Sequence, residues 1–194
     1  MDAFDAILTR RSTRRYLPVV PDKDLILRVL DAGRHAPSGS NSQSTHLIVI
    51  TGRTALAELS ALVREEFAKM ELRDDMYIAL KKSIRSSKDG SYVFHYDAPV
   101  LIVTANRKGY GNAMADSACV LENMMIAANA LDLGSCWINQ LHWLDESVNV
   151  RGYLFGLGLK EEETVTGALA LGYAVSGSPN RDPQKITGNP VTWT

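Results

Sequence analysis

Four arginines and two hydroxyl residues fall within six positions, Arg10-Arg11-Ser12-Thr13-Arg14-Arg15. Guanidinium forks bind phosphate oxygens bidentately and hydroxyls add uncharged hydrogen bonds, so the chemistry on offer is capture of an organic phosphate. Taken alone, such a run is more often a solvated basic face. A second constellation, Pro37-Ser38-Gly39-Ser40-Asn41-Ser42-Gln43, sets small hydroxyls and amides on a backbone that a ligand can approach closely. These groups suit polyol hydroxyls or ring heteroatoms without adding charge. The same residues also make an ordinary helix-to-strand loop.

Other chemistries lack their residues. There is no GxGxxG and no GxxxxGK[ST], and Gly156-Leu157-Gly158-Leu159 lacks a third glycine, so no Rossmann site or P-loop is expected. His35, His46, His95 and His142 are scattered without HExxH spacing or paired cysteines, so no metal site is expected. Cys119 and Cys136 have apolar neighbours and no CxxC spacing, which suits reduced, buried thiols. The formal net charge of -1 gives no broad field for nucleic acid or an anionic membrane, so any anion site must be local. No apolar run reaches the roughly 20 residues that span a bilayer, and the acidic start is unlike a signal peptide; a cytoplasmic protein is expected.

The elements that must position these groups follow from periodicity. Asp2 caps a first helix with Phe4, Ile7 and Leu8 on one face and the arginine run at its end. Pro21-Asp22 opens a second helix with Leu25, Ile26, Val29 and Leu30 on one face, closing near Gly33. Turn chemistry makes 36–44 a loop, and 46–51 a buried strand before a helix with Leu56, Leu59, Leu62, Val63 and Met70 inward. Residues 71–92 are polar and basic, reading as a short helix and a mobile loop, a candidate lid. A second strand covers 100–104. Residues 112–131 form a helix apolar nearly all round, hence buried on most sides by its own fold or by a partner. A strand over 135–141, a short helix capped by Asp145, a strand over 165–175 and an extended tail complete one domain, 1–194.

The order and spacing of several short motifs resemble the nitroreductase family of FMN-dependent oxidoreductases along most of the chain. They are Arg10-Arg11-Ser12-Thr13-Arg14, Ala36 to Gln43, Tyr96-Asp97-Ala98-Pro99, Asp116 and Asn123 in the apolar helix, Leu133-Gly134-Ser135-Cys136-Trp137-Ile138, and Ala170-Leu171-Gly172-Tyr173. The resemblance implies an α+β fold with a central mixed β-sheet surrounded by helices, and an intertwined homodimer with an extended C-terminal tail. It implies two FMN molecules at the dimer interface. Arg10, Arg11, Ser12 and Arg14 would bind the phosphate and ribityl end of one flavin, with Pro37, Ser38, Gly39, Asn41 and Gln43 supplied by the partner chain. Trp137, Ile138, Asn139 and Gln140 would lie along the isoalloxazine ring and offer backbone N–H groups. Lys185 and Arg181 would close over the phosphate. NADH or NADPH would serve as transient donor, and a nitroaromatic, quinone or free flavin as acceptor, with no side chain acting as acid or base. Flavin storage or sensing without turnover, and dehalogenation by the same cofactor, are the alternatives. The chain departs from the family pattern at Ser44-Thr45, where Pro-Trp is common, and at Asn139, where glycine is common.

Overall fold

The computed structural model describes residues 1–175, 182, 183 and 185–194. Its centre is a sheet of four strands, β1 (His46–Ile50), β2 (Val100–Arg107), β3 (Gly134–Ile138) and β4 (Glu163–Gly172), in the order β1-β2-β4-β3. Every ladder is antiparallel, so the expected mixed sheet is corrected to an antiparallel one. The reason lies in the connections. Ile50 pairs with Leu101, so the excursion between β1 and β2 returns to the end of the sheet it left, and neighbouring strands must run in opposite directions. The connection from β3 to β4 does the same, with Ile138 opposite Ala168. Among the described residues, parallel pairing survives only as an isolated bridge between Ser12 and Ser135.

Both faces of the sheet are covered, which suits the continuous apolar runs of β2 and β4. On one face Leu101, Val103, Ala105, Ala168 and Ala170 pack against α3 (Arg53–Lys69), α4 (Ile78–Lys88) and α7 (Val148–Gly156). On the other, Val100, Ile102, Leu169 and Leu171 meet α2 (Lys23–Arg34) and α5 (Ala113–Ala130). Two short helices, α1 (Ala3–Thr9) and α6 (Gln140–Trp143), complete the α+β fold among the described residues.

Asp2 caps α1 as expected, its carboxylate accepting the Asp5 N–H at 2.8 Å. The buried face of that helix is nevertheless Ala6 and Thr9, whereas Phe4 is 78% exposed and Ile7 and Leu8 stand outside. The α3 face adds Phe67, fully buried, to the apolar positions expected there. Three further expectations are corrected. Asp145 caps no helix: Ser147 caps α7, and the Asp145 carboxylate instead accepts from Arg151 at 2.8 Å and from the Val165 N–H at 2.9 Å. The strand expected over 135–141 stops at Ile138, because Asn139 turns to a helical backbone and receives the Trp137 indole N–H on its own side chain at 2.8 Å. Cys119 is exposed, and only Cys136 is buried. No helix among the described residues is long and apolar enough to cross a membrane.

Candidate functional site

The arginine run leaves α1 and lies along the outer edge of β3. Ser12 bridges Ser135, the Thr13 N–H donates to the Ser135 carbonyl at 2.8 Å, and further on Tyr16 bridges Ala174. Gly134 allows this contact, since a Cβ there would stand 2.6 Å from the Thr13 hydroxyl oxygen. The strip is therefore bound to the sheet by its backbone, which leaves the side chains to face outward. The guanidinium of Arg14 lies 5.9 Å over the ring of Tyr96. Arg11 donates to the carbonyls of Arg10 and Asp182, tying the beginning of the described tail to the strip. Arg10 reaches the Glu122 carboxylate of α5 at 3.5 Å.

Arg14 and Gln140 line one cavity of about 570 Å³, together with Tyr16, Lys82, Tyr92 and Tyr96. That volume lies within the range of ordinary small-molecule sites. Donor counting fixes one wall of it. Ser83 donates its proton to the Ala79 carbonyl at 3.1 Å, so Tyr92, 2.7 Å away, must donate to Ser83, and the Tyr92 oxygen accepts the Gln140 amide N–H at 2.8 Å. The amide orientation follows: Oε1 of Gln140 points away from Tyr92, buried and without a hydrogen-bond partner. Burial pushes the Tyr92 phenol up to about 12, against the lowering effect of its hydrogen bonds with Ser83 and Gln140, so it remains a donor throughout the ordinary pH range. The turn between Tyr92 and β2 is strained: Tyr96 and Asp97 have φ of 57° and 56°, a left-handed pair of non-glycine residues. The sequence marks Ser83 and Tyr92 only as part of the candidate lid 71–92 and gives the Tyr96 ring no individual role; that segment and the Tyr96-Asp97-Ala98-Pro99 motif are the signals pointing to this wall.

The other expected residues are arranged as follows. Ile138 is buried, so only its backbone is available to a ligand, while Trp137 and Asn139 are half-buried and bonded to one another. Cys136 lies beneath the strip, and burial pushes its thiol up against the lowering effect of Arg14, Ser12 and Arg10, so it remains an unreactive thiol. Lys185 is exposed in the tail, and Arg181 lies outside the described residues.

The loop 37–43 is built elsewhere. Asp116, buried in the first turn of α5, accepts the Gly39 N–H at 2.9 Å, the Tyr110 hydroxyl at 3.0 Å and the Ser42 hydroxyl at 3.3 Å. The Gln43 N–H donates to Ser38 Oγ at 3.0 Å, and the Gln43 amide to Asn41 at 2.9 Å. Ser40, Asn41 and Gln43 all have positive φ, between 46° and 52°. With Pro37 exposed, Ser38, Asn41 and Gln43 line a second cavity beside Arg34, His35 and Thr45, which contains none of residues 10–14. Neither of these two cavities joins the strip to the loop within one chain. Asn123, the second polar residue of α5, donates to the Ala32 carbonyl at 3.1 Å and is structural.

Fold and site together define an α+β protein whose sheet edge carries a cationic strip beside a ligand-sized cavity. The chain belongs to the nitroreductase family, whose model matches residues 7–173. It is similar over its whole length to a nitroreductase from Bacteroides fragilis solved with bound FMN, with 32% identity, 100% of both chains covered and a TM-score of 0.87. Among relatives, a 4-nitrobenzoate reductase from a Nocardioides species is 28% identical over 92% of this chain and 83% of its own length. A nitrobenzene nitroreductase from Ectopseudomonas oleovorans is 26% identical over 90% of this chain and 88% of its own.

Proposed function

We propose that this chain is an FMN-dependent oxidoreductase that takes electrons from NADH or NADPH and passes them to a small acceptor such as a nitroaromatic, a quinone or a free flavin. The observation that carries this reading is the arginine strip fastened along β3 beside the cavity of Arg14 and Gln140. The residues fit the cofactor: cations for a phosphate, a cavity of suitable size, and an unpartnered buried acceptor, Gln140 Oε1, for a ring N–H. Family membership and the FMN held by the Bacteroides relative support the same assignment.

FMN, when bound, supplies the hydride and electron chemistry. Arg10, Arg11, Ser12 and Arg14 would hold the phosphate and ribityl end, with Lys185 and Arg181 as further cations. Trp137, Ile138, Asn139 and Gln140 would flank the ring, Ile138 through its backbone alone. Pro37, Ser38, Gly39, Asn41 and Gln43 would come from a second copy, because each copy's loop opens on a different cavity from its strip. The exposed Phe4, Ile7 and Leu8 of α1 and Met114 of α5 supply apolar surface for that homodimer. Segment 71–92 would act as a lid over acceptor access; its helix α4 is anchored by the fully buried Ile84, while Tyr77 and Ile78 at its start remain exposed. The protein would work in the cytoplasm.

The test is anaerobic titration of the purified protein. A yellow protein that NADH or NADPH bleaches and a nitroaromatic or quinone reoxidises is expected. A yellow protein that neither nicotinamide bleaches would make it a flavin carrier instead.

A further inference from the structure

We propose that α3 and the strip 93–99 enclose a second small-molecule site, which takes a monocarboxylate carried on an apolar body. The site is a cavity of about 630 Å³ at the end of β1, lined by none of the residues assigned to the flavin. One face of α3 forms its long wall. Arg53, Leu56, Ala57, Ser60, Ala61 and Arg64 follow at the spacing of successive turns, so small residues occupy the middle and an arginine stands at each end. Ala57, Ser60 and Ala61 keep the middle of this wall small, and Val20 and Pro99 are also among the lining residues.

Two features of the lining bear on its occupant, and the second concerns charge. Ser60 Oγ and His95 Nδ1 are buried without a hydrogen-bond partner, and both residues line this cavity at 7% and 5% exposure. Native proteins seldom leave such atoms unmatched. Arg53 and Arg64 have no ion-pair or hydrogen-bond partner among the described residues, and Asp97 is the only carboxylate among the lining side chains. The cavity thus carries one surplus cation. Arg64 is half-buried and one turn from Ser60, whereas Arg53 is exposed, so the head group belongs at the Arg64 end and the apolar body against Leu56, Val20 and Pro99. Burial lowers the proton affinity of His95, which leaves a neutral imidazole able to donate or accept. Val93 and Asp97 line this cavity and the Arg14 cavity alike, so the occupant sits against the back of the wall that bears the strained Tyr96-Asp97 turn.

Benzoate is the probe, titrated calorimetrically into the protein as purified, with benzyl alcohol as the uncharged body. Saturable binding of benzoate at millimolar concentration is expected, with benzyl alcohol at least tenfold weaker. Arg64→Gln should weaken benzoate at least tenfold, and Ser60→Leu, which fills the middle of the cavity, should abolish binding, both at unchanged flavin content. No saturable binding to the unmodified protein would overturn the proposal. So would binding that persists in both variants, since benzoate would then occupy another cavity. If Ser60→Leu fails to fold, Ala57→Leu tests the same filling. The site requires no flavin, so a colourless protein would sink the proposed function and leave this test intact.

Discussion

The strip 10–14 and the loop 37–43 are both rich in hydrogen-bonding groups, and they are held in opposite ways. The strip is fixed by its backbone to β3 and turns charged side chains outward, with Arg14 resting on Tyr96. The loop is fixed through a buried carboxylate, Asp116, and offers a left-handed backbone with small polar side chains. One region is a charged hand on a rigid edge, the other a shaped surface on a helix terminus. They line different cavities of one chain, and the proposed flavin site would draw one from each of two copies.

Breaking the loop should cost most. Asp116→Ala removes the acceptor of three hydrogen bonds, from Gly39, Tyr110 and Ser42, and leaves their donors unmatched. A loss of about 3 kcal/mol or more is expected in urea melts, because hydrogen bonds to a charged group contribute more than neutral ones. FMN retention should fall with it. An unchanged midpoint would mean that the loop is held by its own turns.

Arg14→Ala should separate binding from folding. FMN affinity should drop at least about tenfold, corresponding to a charge-assisted hydrogen bond of about 1.5 to 3 kcal/mol, while the melting temperature stays near that of the unmodified chain. Equal FMN retention would make the strip a solvated basic face. Gly134→Ala should act more weakly. The new Cβ meets the Thr13 side chain at 2.6 to 2.9 Å, closer than real Cβ contacts come, so the Thr13 side chain must move away from Gly134. A destabilisation of about 1 kcal/mol is expected, at the low end for overpacking because only a small side chain must yield. Wild-type stability and FMN affinity in this variant would show that the strip is not fixed there.

The smallest effect is a pH dependence. Burial lowers the pKa of His95 in the folded chain, so below pH 6.5 the unfolded chain takes up a proton that the folded chain resists. Stability should therefore fall as pH drops through and below 6.5, and His95→Gln should flatten that part of the profile. Coincident profiles for the two proteins would remove His95 as the cause.

Much of this arrangement was legible in the sequence, and the failures share a cause. Asp2, β1 and the inward face of α5 follow from local caps and periodicity, which depend on near neighbours, whereas Met114 and Cys119 of α5 stand exposed in a single chain. Asp145 reads as a cap until its tertiary partners, Arg151, Thr164 and Val165, take the carboxylate. The apolar stripe of α1 is plain, yet the side it faces is outward in a single chain. At the site, the arginines and the serine-rich loop stood out by composition. Asp116 stood out as a polar residue in the apolar helix, whereas Ser83 and Tyr92 gain their place through the hydrogen bond of Tyr92 with Gln140, 48 residues on, which no spacing rule exposes.

The most direct test of the two-copy site is complementation. Arg14→Ala and Asp116→Ala chains are co-expressed with different tags, mixed dimers are isolated, and their FMN content is compared with that of each variant alone. If each site joins one copy's strip to the other's loop, a mixed dimer has one doubly damaged site and one intact site, and tight FMN binding returns at one flavin per dimer. If strip and loop of the same chain served one site, every site in the mixed dimer would stay damaged. FMN content would then remain at the level of the variants alone, contradicting the account.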